Sequence, residues 1–270
     1  MIESDRGLVL RSYPLRETSK ILCILGARHG RLRLVARGAR AAKGRASTEI
    51  GNEIEFVFSL KPGAELGTLR EATLAHPWLA GSRRLEVLGA GLAALELLER
   101  LIPEGASEPD LLRESLGYLG SLQASADRAH ALLLFYSFEL RLLSRLGVRP
   151  DLQGCCECGR SEGELYYLDV DAGALRCVAC GGSPGPGRMS LPGEAARTLR
   201  VLSGAGWGEV EVLATSAHTR RAVGLALHRL LGAHVERYRV PRSLRLLKNV
   251  DRGKAPAVEI IPIDRPGESV

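Results

Sequence analysis

Apolar and polar residues alternate along the first 75 residues in short runs, and glycine, proline or polar clusters separate the runs. This pattern predicts β-strands over residues 8–13, 20–25, 31–37, 53–60 and 66–73. Every even position of residues 53–60 is apolar, so one strand face, expected to line a core, carries Ile54, Phe56, Phe58 and Leu60. Five strands in this length favour a small Greek-key barrel of the OB type, and an SH3-like barrel is the alternative.

The apolar spacing becomes helical after Pro77. Steps of three and four residues predict helices over residues 84–101, 111–123, 127–146, 192–202 and 216–238. Asp127 is suited to cap the third of these helices, and Gly147 is suited to end it. In the last helix one apolar stripe is expected to run through Val223, Leu227, Leu231 and either His234 or Tyr238. Together these segments predict a helical bundle.

A segment rich in cysteine and glycine interrupts the helical pattern between residues 151 and 188. We therefore expect an α+β, multidomain chain whose N-terminal OB-fold barrel precedes a mostly helical domain with an inserted four-cysteine zinc module. The expected boundaries are 1–75 for the barrel, 76–150 and 189–249 for the two parts of the helical domain, 151–188 for the insert, and 250–270 for a flexible tail.

Positive charge is concentrated at the start of the chain. Residues 1–50 contain eleven lysines or arginines and four acids, a local balance of +7, whereas the whole chain carries +6. A segregated excess of this kind is typical of proteins with a polyanionic partner. A solubility charge spread over one face is the plainer interpretation.

Seven cations and no carboxylate lie between residues 28 and 45. Strand alternation predicts that Arg31, Arg33 and Arg37 point outward while Leu32, Leu34 and Ala36 point inward. A strand and its following loop could then contact successive phosphates of a nucleic acid. The candidate nucleic-acid-binding residues are Arg28, Arg31, Arg33, Arg37, Arg40, Lys43 and Arg45. Tyr13 is a stacking candidate, although a plain surface or core tyrosine is the simpler interpretation.

A second basic stretch runs from Arg220 to Lys248, with eight cations against the single acid Glu236. It would extend a nucleic-acid track, bind an acidic peptide, or form no more than a solvated helix face. Its candidate residues are Arg237, Arg239, Arg242 and Arg245.

Two cysteine pairs carry the strongest motif of the sequence. Cys155 and Cys158 form one Cys-x-x-Cys pair, and Cys177 and Cys180 form another after eighteen intervening residues. Two such pairs on tight turns supply the four thiolates of a structural zinc site, which has no open position for catalysis. A disulfide or redox pair is the alternative. Cys156 is a possible competing ligand, and Cys23 is expected to be a small core residue.

Motifs for catalysis and for membrane insertion are absent from the sequence. It contains no P-loop and no deaminase signature, and Gly89-x-Gly91-x-x-Ala94 lies in a predicted helix where a dinucleotide fingerprint has no physical basis. A signal peptide and a long apolar run are also missing. We therefore expect a protein that is not an enzyme, contacts no membrane, and resides in the cytoplasm.

Residues 7–22 (GLVLRSYPLRETSKIL) and 29–40 (HGRLRLVARGAR) are similar to the opening strands of the bacterial RecO family, and the cysteine pairs extend the resemblance to about residue 240. The segment from Glu49 to Asn52 departs from the family pattern, which more often has Leu-Gln-Pro-aromatic. The helical regions resemble the family in arrangement more than in residues.

The resemblance implies a recombination mediator in DNA repair, associated with the nucleoid. Family members bind single- and double-stranded DNA, anneal complementary strands, contact the acidic C-terminal tail of the single-strand binding protein SSB, and act with RecR to load RecA. One structural Zn²⁺ per chain is expected, and no catalytic residue is implied. The competing hypotheses are a zinc-ribbon RNA-binding protein of transcription or translation, and a scaffold that binds acidic peptides.

Overall fold

A closed five-stranded barrel forms the N-terminal part of the protein in a computed structural model. The structure describes residues 2–15, 17–39, 47–61, 63–181, 185 and 187–249, without the side chains of residues 248 and 249. The barrel strands are β1 (Ile2–Leu15), β2 (Ser19–Gly26), β3 (Gly30–Ala36), β4 (Asn52–Ser59) and β5 (Gly67–Pro77). Each predicted strand is confirmed, and β1 and β5 are longer than the alternation indicated.

The barrel closes in the order β1-β2-β3-β5-β4. The β3–β5 pair is parallel, with Leu34 opposite Gly67, whereas the other neighbouring pairs are antiparallel. A Cβ atom at residue 67 would lie 2.7 Å from the Leu34 side chain, so glycine permits the close approach that seals the barrel. A five-stranded barrel with this strand order is of the OB type. The predicted fold class is confirmed.

The barrel interior is apolar, as the alternation predicted. Ile54, Phe56 and Phe58 of β4 are buried in it, and Leu60 packs at its rim. From β3 the inward residues are Leu32, Leu34 and Ala36. This interior fixes which side chains of each strand remain available outside.

Helices follow the barrel and pack as a bundle. They are α1 (Leu85–Leu101), α2 (Pro109–Ala124) and α3 (Arg128–Arg145), followed after the insert by α5 (Gly193–Gly204), α6 (Trp207–Glu211), α7 (Ala217–His234) and α8 (Leu244–Asn249). The Asp127 carboxylate accepts a hydrogen bond from the backbone N–H of His130 at 3.0 Å, and Gly147 has φ 82°, so the predicted start and stop signals of α3 are confirmed.

Helix α7 is shorter than predicted. Its cap, Ser216, accepts a hydrogen bond from the backbone N–H of Thr219 at 3.0 Å, but the helix ends at His234. Tyr238 therefore lies beyond the helix and does not continue its stripe, because the Val235 backbone is extended. Val223, Leu227 and Leu231 form the buried stripe as predicted.

The cysteine insert is built on a four-stranded sheet that the sequence interpretation missed. Its order is β6-β8-β7-β9, from β6 (Asp151–Cys155), β7 (Leu165–Asp169), β8 (Ala174–Cys177) and β9 (Arg188–Pro192). The short helix α4 (Val178–Gly181) follows β8. Strand β9 leads directly into α5 and so joins the insert to the second part of the bundle.

One continuous apolar core joins the barrel exterior, the bundle and the insert. It includes Leu8 and Leu10 of β1, Leu95 and Leu98 of α1, and Leu175 of β8. The domain boundaries proposed from the sequence stay predictions, and the predicted tail of residues 250–270 lies outside the described residues. Within the described part of the chain, no helix combines the length and the apolar character needed to cross a bilayer.

Candidate metal centre and nucleic-acid interface

The four predicted metal ligands meet at one end of the insert sheet. Cys155 ends β6 and Cys177 ends β8, and these two strands are parallel neighbours. Cys158 follows in the turn after β6, and Cys180 lies in α4. The four sulfur atoms all lie within 4.8 Å of one another. Topology therefore assembles the pairs that the sequence only suggested.

The sulfur geometry fits a tetrahedral metal site. The Sγ atoms of Cys158 and Cys177 are 3.7 Å apart. Four thiolates at about 2.3 Å from a zinc ion would be separated by about 3.8 Å from one another. All six cysteines are free thiols in this structure. The cluster is a candidate metal site with four sulfur ligands, and this donor set suits a soft, tetrahedral ion.

The turn between the first two ligands is organised by its backbone. The N–H of Gly159 donates to the carbonyl of Cys155 at 2.8 Å, and the N–H of Cys155 donates to the carbonyl of Arg160 at 2.8 Å. Gly159 has φ 72°, a conformation that glycine adopts without strain. Burial by itself would raise the pKa of the Cys155 thiol. Backbone hydrogen bonds from Cys177 and Cys158 outweigh burial and lower that pKa to about 6. The environment thus favours a thiolate ligand.

The two remaining cysteines lie outside this cluster. Cys156 is exposed and is not among the four converging sulfurs. Cys23 is buried in the core, as predicted. Burial is the main cause that raises the pKa of its thiol, so it remains protonated.

The outer face of β2 and β3 is not the open surface that the alternation suggested. Cys23 and Leu25 of β2 stand opposite Arg33 and Arg31 of β3. Both β2 residues belong to the core shared with the helices. Helix α2 packs against β2, and α1 packs against β1. The face that OB folds commonly use for oligonucleotides is therefore partly covered by the protein itself.

Arg31 does not point into water, which corrects the sequence prediction. Its side chain is only 15% exposed. Its Nε donates to the carbonyl of Ile102 at 2.6 Å, and its Nη1 lies 3.3 Å from a carboxylate oxygen of Glu104. Because these partners come from the segment after α1, the guanidinium fastens the barrel to the helical region.

Arg28 stays largely exposed, although it has protein partners. Its side chain is 65% exposed and donates to the carbonyl of Ser4, and its Nε lies 3.8 Å from the buried carboxylate of Asp5. His29 lies between Asp5 and Glu3, with ring nitrogens 2.8 Å and 2.6 Å from their oxygens. Burial lowers the pKa of His29, but the two carboxylate hydrogen bonds outweigh it and raise that pKa overall.

Arg33 and Arg37 are two further members of the basic row that solvent can reach. Arg33 is half-buried and lines a shallow cleft with Glu65 and Glu104. Arg37, just after β3, is exposed. Neither side chain has a hydrogen bond or ion pair within the described residues. The other predicted members of the row, Arg40, Lys43 and Arg45, lie outside the described residues.

Tyr13 is held by the bundle and does not present a free ring. Its hydroxyl donates to the carboxylate of Glu99 on α1, and the same carboxylate lies 3.5 Å from Arg11. The Arg11 guanidinium sits over the Tyr13 ring at 5.3 Å from its centroid. Burial and the Glu99 hydrogen bond raise the pKa of Tyr13 to about 12. The position of Tyr13 agrees with the interpretation that it is a plain structural tyrosine and not a stacking residue.

The second basic stretch is exposed. Its predicted residues are all solvent-accessible in the turn after α7 and at the start of α8, namely Arg237, Arg239, Arg242 and Arg245. Two further exposed arginines, Arg221 and Arg229, lie on α7 itself and were not singled out from the sequence. The spacing of the apolar residues along α7 already indicated that both arginines lie on the side opposite the buried stripe, so the sequence could have identified them.

Two family models match this chain. The model described as "Recombination protein O N terminal" matches residues 1–78, and the model described as "Recombination protein O C terminal" matches residues 82–245. The junction between the matches falls at the junction between β5 and α1. Together the matches cover the barrel, the bundle and the insert.

Similar proteins carry the name DNA repair protein RecO. The protein from Pelobacter propionicus is 30% identical over 236 residues, which cover 86% of this chain and 91% of the relative. That from Bacillus pumilus is 29% identical over 202 residues, covering 75% and 77%. That from Nocardioides sp. is 29% identical over 249 residues, covering 88% and 100%. With both domains matched in order and nearly full-length relatives, the chain belongs to the recombination protein O family.

Proposed function

We propose that this protein is a non-catalytic, DNA-binding mediator of recombinational repair that acts at the nucleoid. The observation that carries the proposal is the match of both recombination protein O domains to one chain whose N-terminal part is a closed barrel of the OB type. Its relatives are named DNA repair proteins. The mediator binds single- and double-stranded DNA and anneals complementary strands.

The DNA surface that we propose lies at the C-terminal end of β3. Arg33 and Arg37 lack an acidic partner among the described residues, and the sequence that follows adds the cations Arg40, Lys43 and Arg45. Arg28 contributes at the other end of the strand. We leave Arg31 out of the surface because its guanidinium is engaged with Ile102 and Glu104.

Nearby acids support a net positive field at this surface. Glu49 lies 3.3 Å from the ammonium group of Lys20, and the carboxylates of Asp5 and Glu3 are held by His29. Of the four acids in residues 1–50, these three therefore have basic side chains as partners. The remaining positive charge can lie along a phosphate backbone, with affinity that depends on salt and little on base sequence.

We assign the metal as one structural Zn²⁺ per chain, held by Cys155, Cys158, Cys177 and Cys180. Four thiolates complete a tetrahedral shell and leave no position for water or substrate. When bound, the ion would cross-link the turn after β6 to the end of β8. The cysteine cluster thus supports the fold and carries no reaction step.

The partners that we propose follow from family membership: RecR, the acidic C-terminal tail of SSB and, through them, RecA. In this scheme the protein exchanges SSB for RecA on single-stranded DNA.

The DNA surface is tested by Arg33→Glu/Arg37→Glu, compared with Arg83→Glu/Arg197→Glu, which makes the same charge change at exposed residues elsewhere. Fluorescence anisotropy with single-stranded DNA should show weaker binding of the first variant for unrelated sequences alike. The slope of log K against log salt should fall by about 0.7 per lost phosphate contact. Equal affinities and slopes for the two variants would refute the assignment.

The mediator role is tested by annealing of complementary strands coated with SSB. The wild type should accelerate annealing, and Arg33→Glu/Arg37→Glu should do so less. Competition with an RNA hairpin separates the alternatives, since a clear RNA preference would favour the zinc-ribbon RNA-binding hypothesis. Binding of an SSB tail peptide with no DNA affinity would favour the scaffold hypothesis.

A further inference from the structure

An outer row of arginines follows α7 and continues into the segment after it. The exposed members, which we call the arginine track, are Arg221, Arg229, Arg237, Arg239, Arg242 and Arg245. The opposite side of α7 is buried against the bundle through residues such as Val223 and Leu227. Packing of the apolar stripe therefore forces the basic side of the helix into water.

The side chains of the track arginines are unpaired within the part of the chain that the structure describes. No side chain of the track makes a hydrogen bond or an ion pair with another described residue, whereas Arg31, Arg141 and Arg188 elsewhere in the chain are all bound to carbonyls or carboxylates. Glu236 is the one acid between residues 217 and 248 of the sequence. The charge of the track is therefore available to an external anion.

The backbone that carries the second half of the track is fixed in place. The carboxylate of Glu96 on α1 accepts hydrogen bonds from the backbone N–H groups of Arg242 at 2.9 Å and Ser243 at 3.1 Å. The carbonyl of Arg239 accepts a hydrogen bond from Arg100 at 3.1 Å. Glu96 thus accepts hydrogen bonds from two backbone N–H groups and from the Ser243 hydroxyl, and it makes no ion pair with a guanidinium of the track among the described residues.

The same helix α1 connects this segment to the barrel. Glu99 of α1 lies one turn from Glu96 and binds Arg11 and Tyr13 of β1. The segment that carries the second half of the track is therefore joined through α1 to β1, and the track shares no strand or helix with the Arg33 and Arg37 surface.

From this geometry we propose that the arginine track is a second binding site for the sugar-phosphate backbone of a nucleic acid. All six cations are arginine, whose planar guanidinium binds phosphate oxygens in a bidentate manner. Arg221 and Arg229 are eight residues apart on one helix, about 12 Å along its axis, a reach that suits a polymer with repeated charge. Leu225 and Val240 are the large apolar residues exposed within the track, too few to anchor a peptide by its side chains.

The inference deepens the proposed function, on which it rests. One chain with two backbone sites can hold two strands at once, which raises their effective concentration and favours their pairing. Because neither site reads bases, the strands themselves select the complementary partner.

The test counts strands with the full-length protein. An immobilised oligothymidylate is loaded with protein and then offered a fluorescent oligothymidylate, which cannot pair with the first. The variants are Arg221→Glu/Arg229→Glu and Arg237→Glu/Arg239→Glu for the track, Arg33→Glu/Arg37→Glu for the barrel, and Arg83→Glu/Arg197→Glu as the matched control. Equal thermal midpoints establish that each variant is folded. Arg229→Gln/Arg237→Gln repeats the track test without reversing charge.

We expect the wild type and the matched control to capture the second strand, and each track variant to retain the first strand but to lose most of that capture. The salt slope of total binding should also fall by about 0.7 per lost contact on single strands. Unchanged capture by the track variants would overturn the inference while the DNA-binding function stands. Absence of any wild-type DNA binding would instead overturn the proposed function. The same variants are also tested for binding of a polyglutamate peptide. If the track variants lose polyglutamate binding but still capture the second strand, the track is an acidic-peptide site and the inference is overturned.

Discussion

Glu139 is a carboxyl group inside the helical bundle, on α3, and only 3% of the residue is exposed. Among the described residues it has no hydrogen-bonding or ionic partner. Burial alone raises the pKa of this group from 4.5 to about 8. Since a carboxylate without a partner is costly in an apolar interior, the folded protein holds Glu139 protonated at neutral pH.

The free-energy consequence follows from linkage. In the unfolded chain Glu139 ionises above about pH 4.5, whereas in the folded protein it keeps its proton up to about pH 8. The folded state therefore binds more protons, and stability falls by about 1.4 kcal/mol per pH unit between these two values. At pH 7 the ionisation of Glu139 in the unfolded chain therefore lowers the free energy of unfolding by about 3 kcal/mol, and we call this loss the penalty. Below pH 4.5 it vanishes, and above pH 8 it stops growing.

Glu139→Gln should remove this penalty because an amide of the same shape does not ionise. We expect the variant to be more stable than the wild type by about 3 kcal/mol at pH 7, which corresponds to an increase of roughly 6–12 °C in Tm. The gain should be close to zero at pH 4.5 and level off above pH 8. Nearby tyrosines do not interfere, since burial raises the pKa of Tyr118, Tyr136 and Tyr238 and keeps them neutral in this range.

Thermal unfolding followed by circular dichroism at one-unit pH steps measures this difference. Glu162→Gln is the matched control, because the same chemical change is made at an exposed site and should leave the pH profile unchanged. A difference between Glu139→Gln and wild type that does not vary with pH, or a variant less stable than wild type at pH 7, would refute burial of a lone carboxyl as the cause.

Two further predictions concern the metal and the barrel attachment. Elemental analysis of untagged protein should find one zinc per chain, Cys158→Ser should lose it, and Cys156→Ser should keep it; equal zinc contents in the two variants would contradict the four-sulfur site. Arg31→Met should lower the free energy of unfolding by about 1–3 kcal/mol, because the carbonyl of Ile102 and the carboxylate of Glu104 lose a charged donor. Urea titration measures this change, and an unaltered midpoint would show that Arg31 does not fasten the barrel.

The barrel interior could be predicted from the sequence because strand alternation is a local property. In β4 each even residue turns inward whatever surrounds the barrel, so Ile54, Phe56 and Phe58 were assigned correctly. The cysteine cluster was equally accessible, since two Cys-x-x-Cys pairs leave few ways to arrange four thiols. Capping by Asp127 followed from the same kind of short-range chemistry.

The orientation of Arg31 could not be predicted from local pattern. Alternation correctly places it outside the barrel, but outside means solvent only where nothing else packs. Its partners lie more than seventy residues away in the sequence, in the loop after α1. A charge count has no information about such distant pairing.

One signal for the covered barrel face was nevertheless present. Residues 21–25 of β2 are apolar at every position, and Leu8, Val9 and Leu10 of β1 repeat the pattern. Strands buried on both faces have continuous apolar runs of this kind. In the structure Val9 points into the barrel, while Leu8 and Leu10 meet the helices. The insert sheet was missed because its strands are short and lie between cysteine motifs.

The apolar core that extends from β1 through α1 to β8 has a practical consequence for dissection of the protein. A barrel fragment that ends between the two family-model matches would expose Leu8, Leu10 and Leu25 to solvent. These exposed side chains would promote aggregation during expression. Point substitutions in the intact chain are therefore the appropriate tools for separating the contributions of its parts.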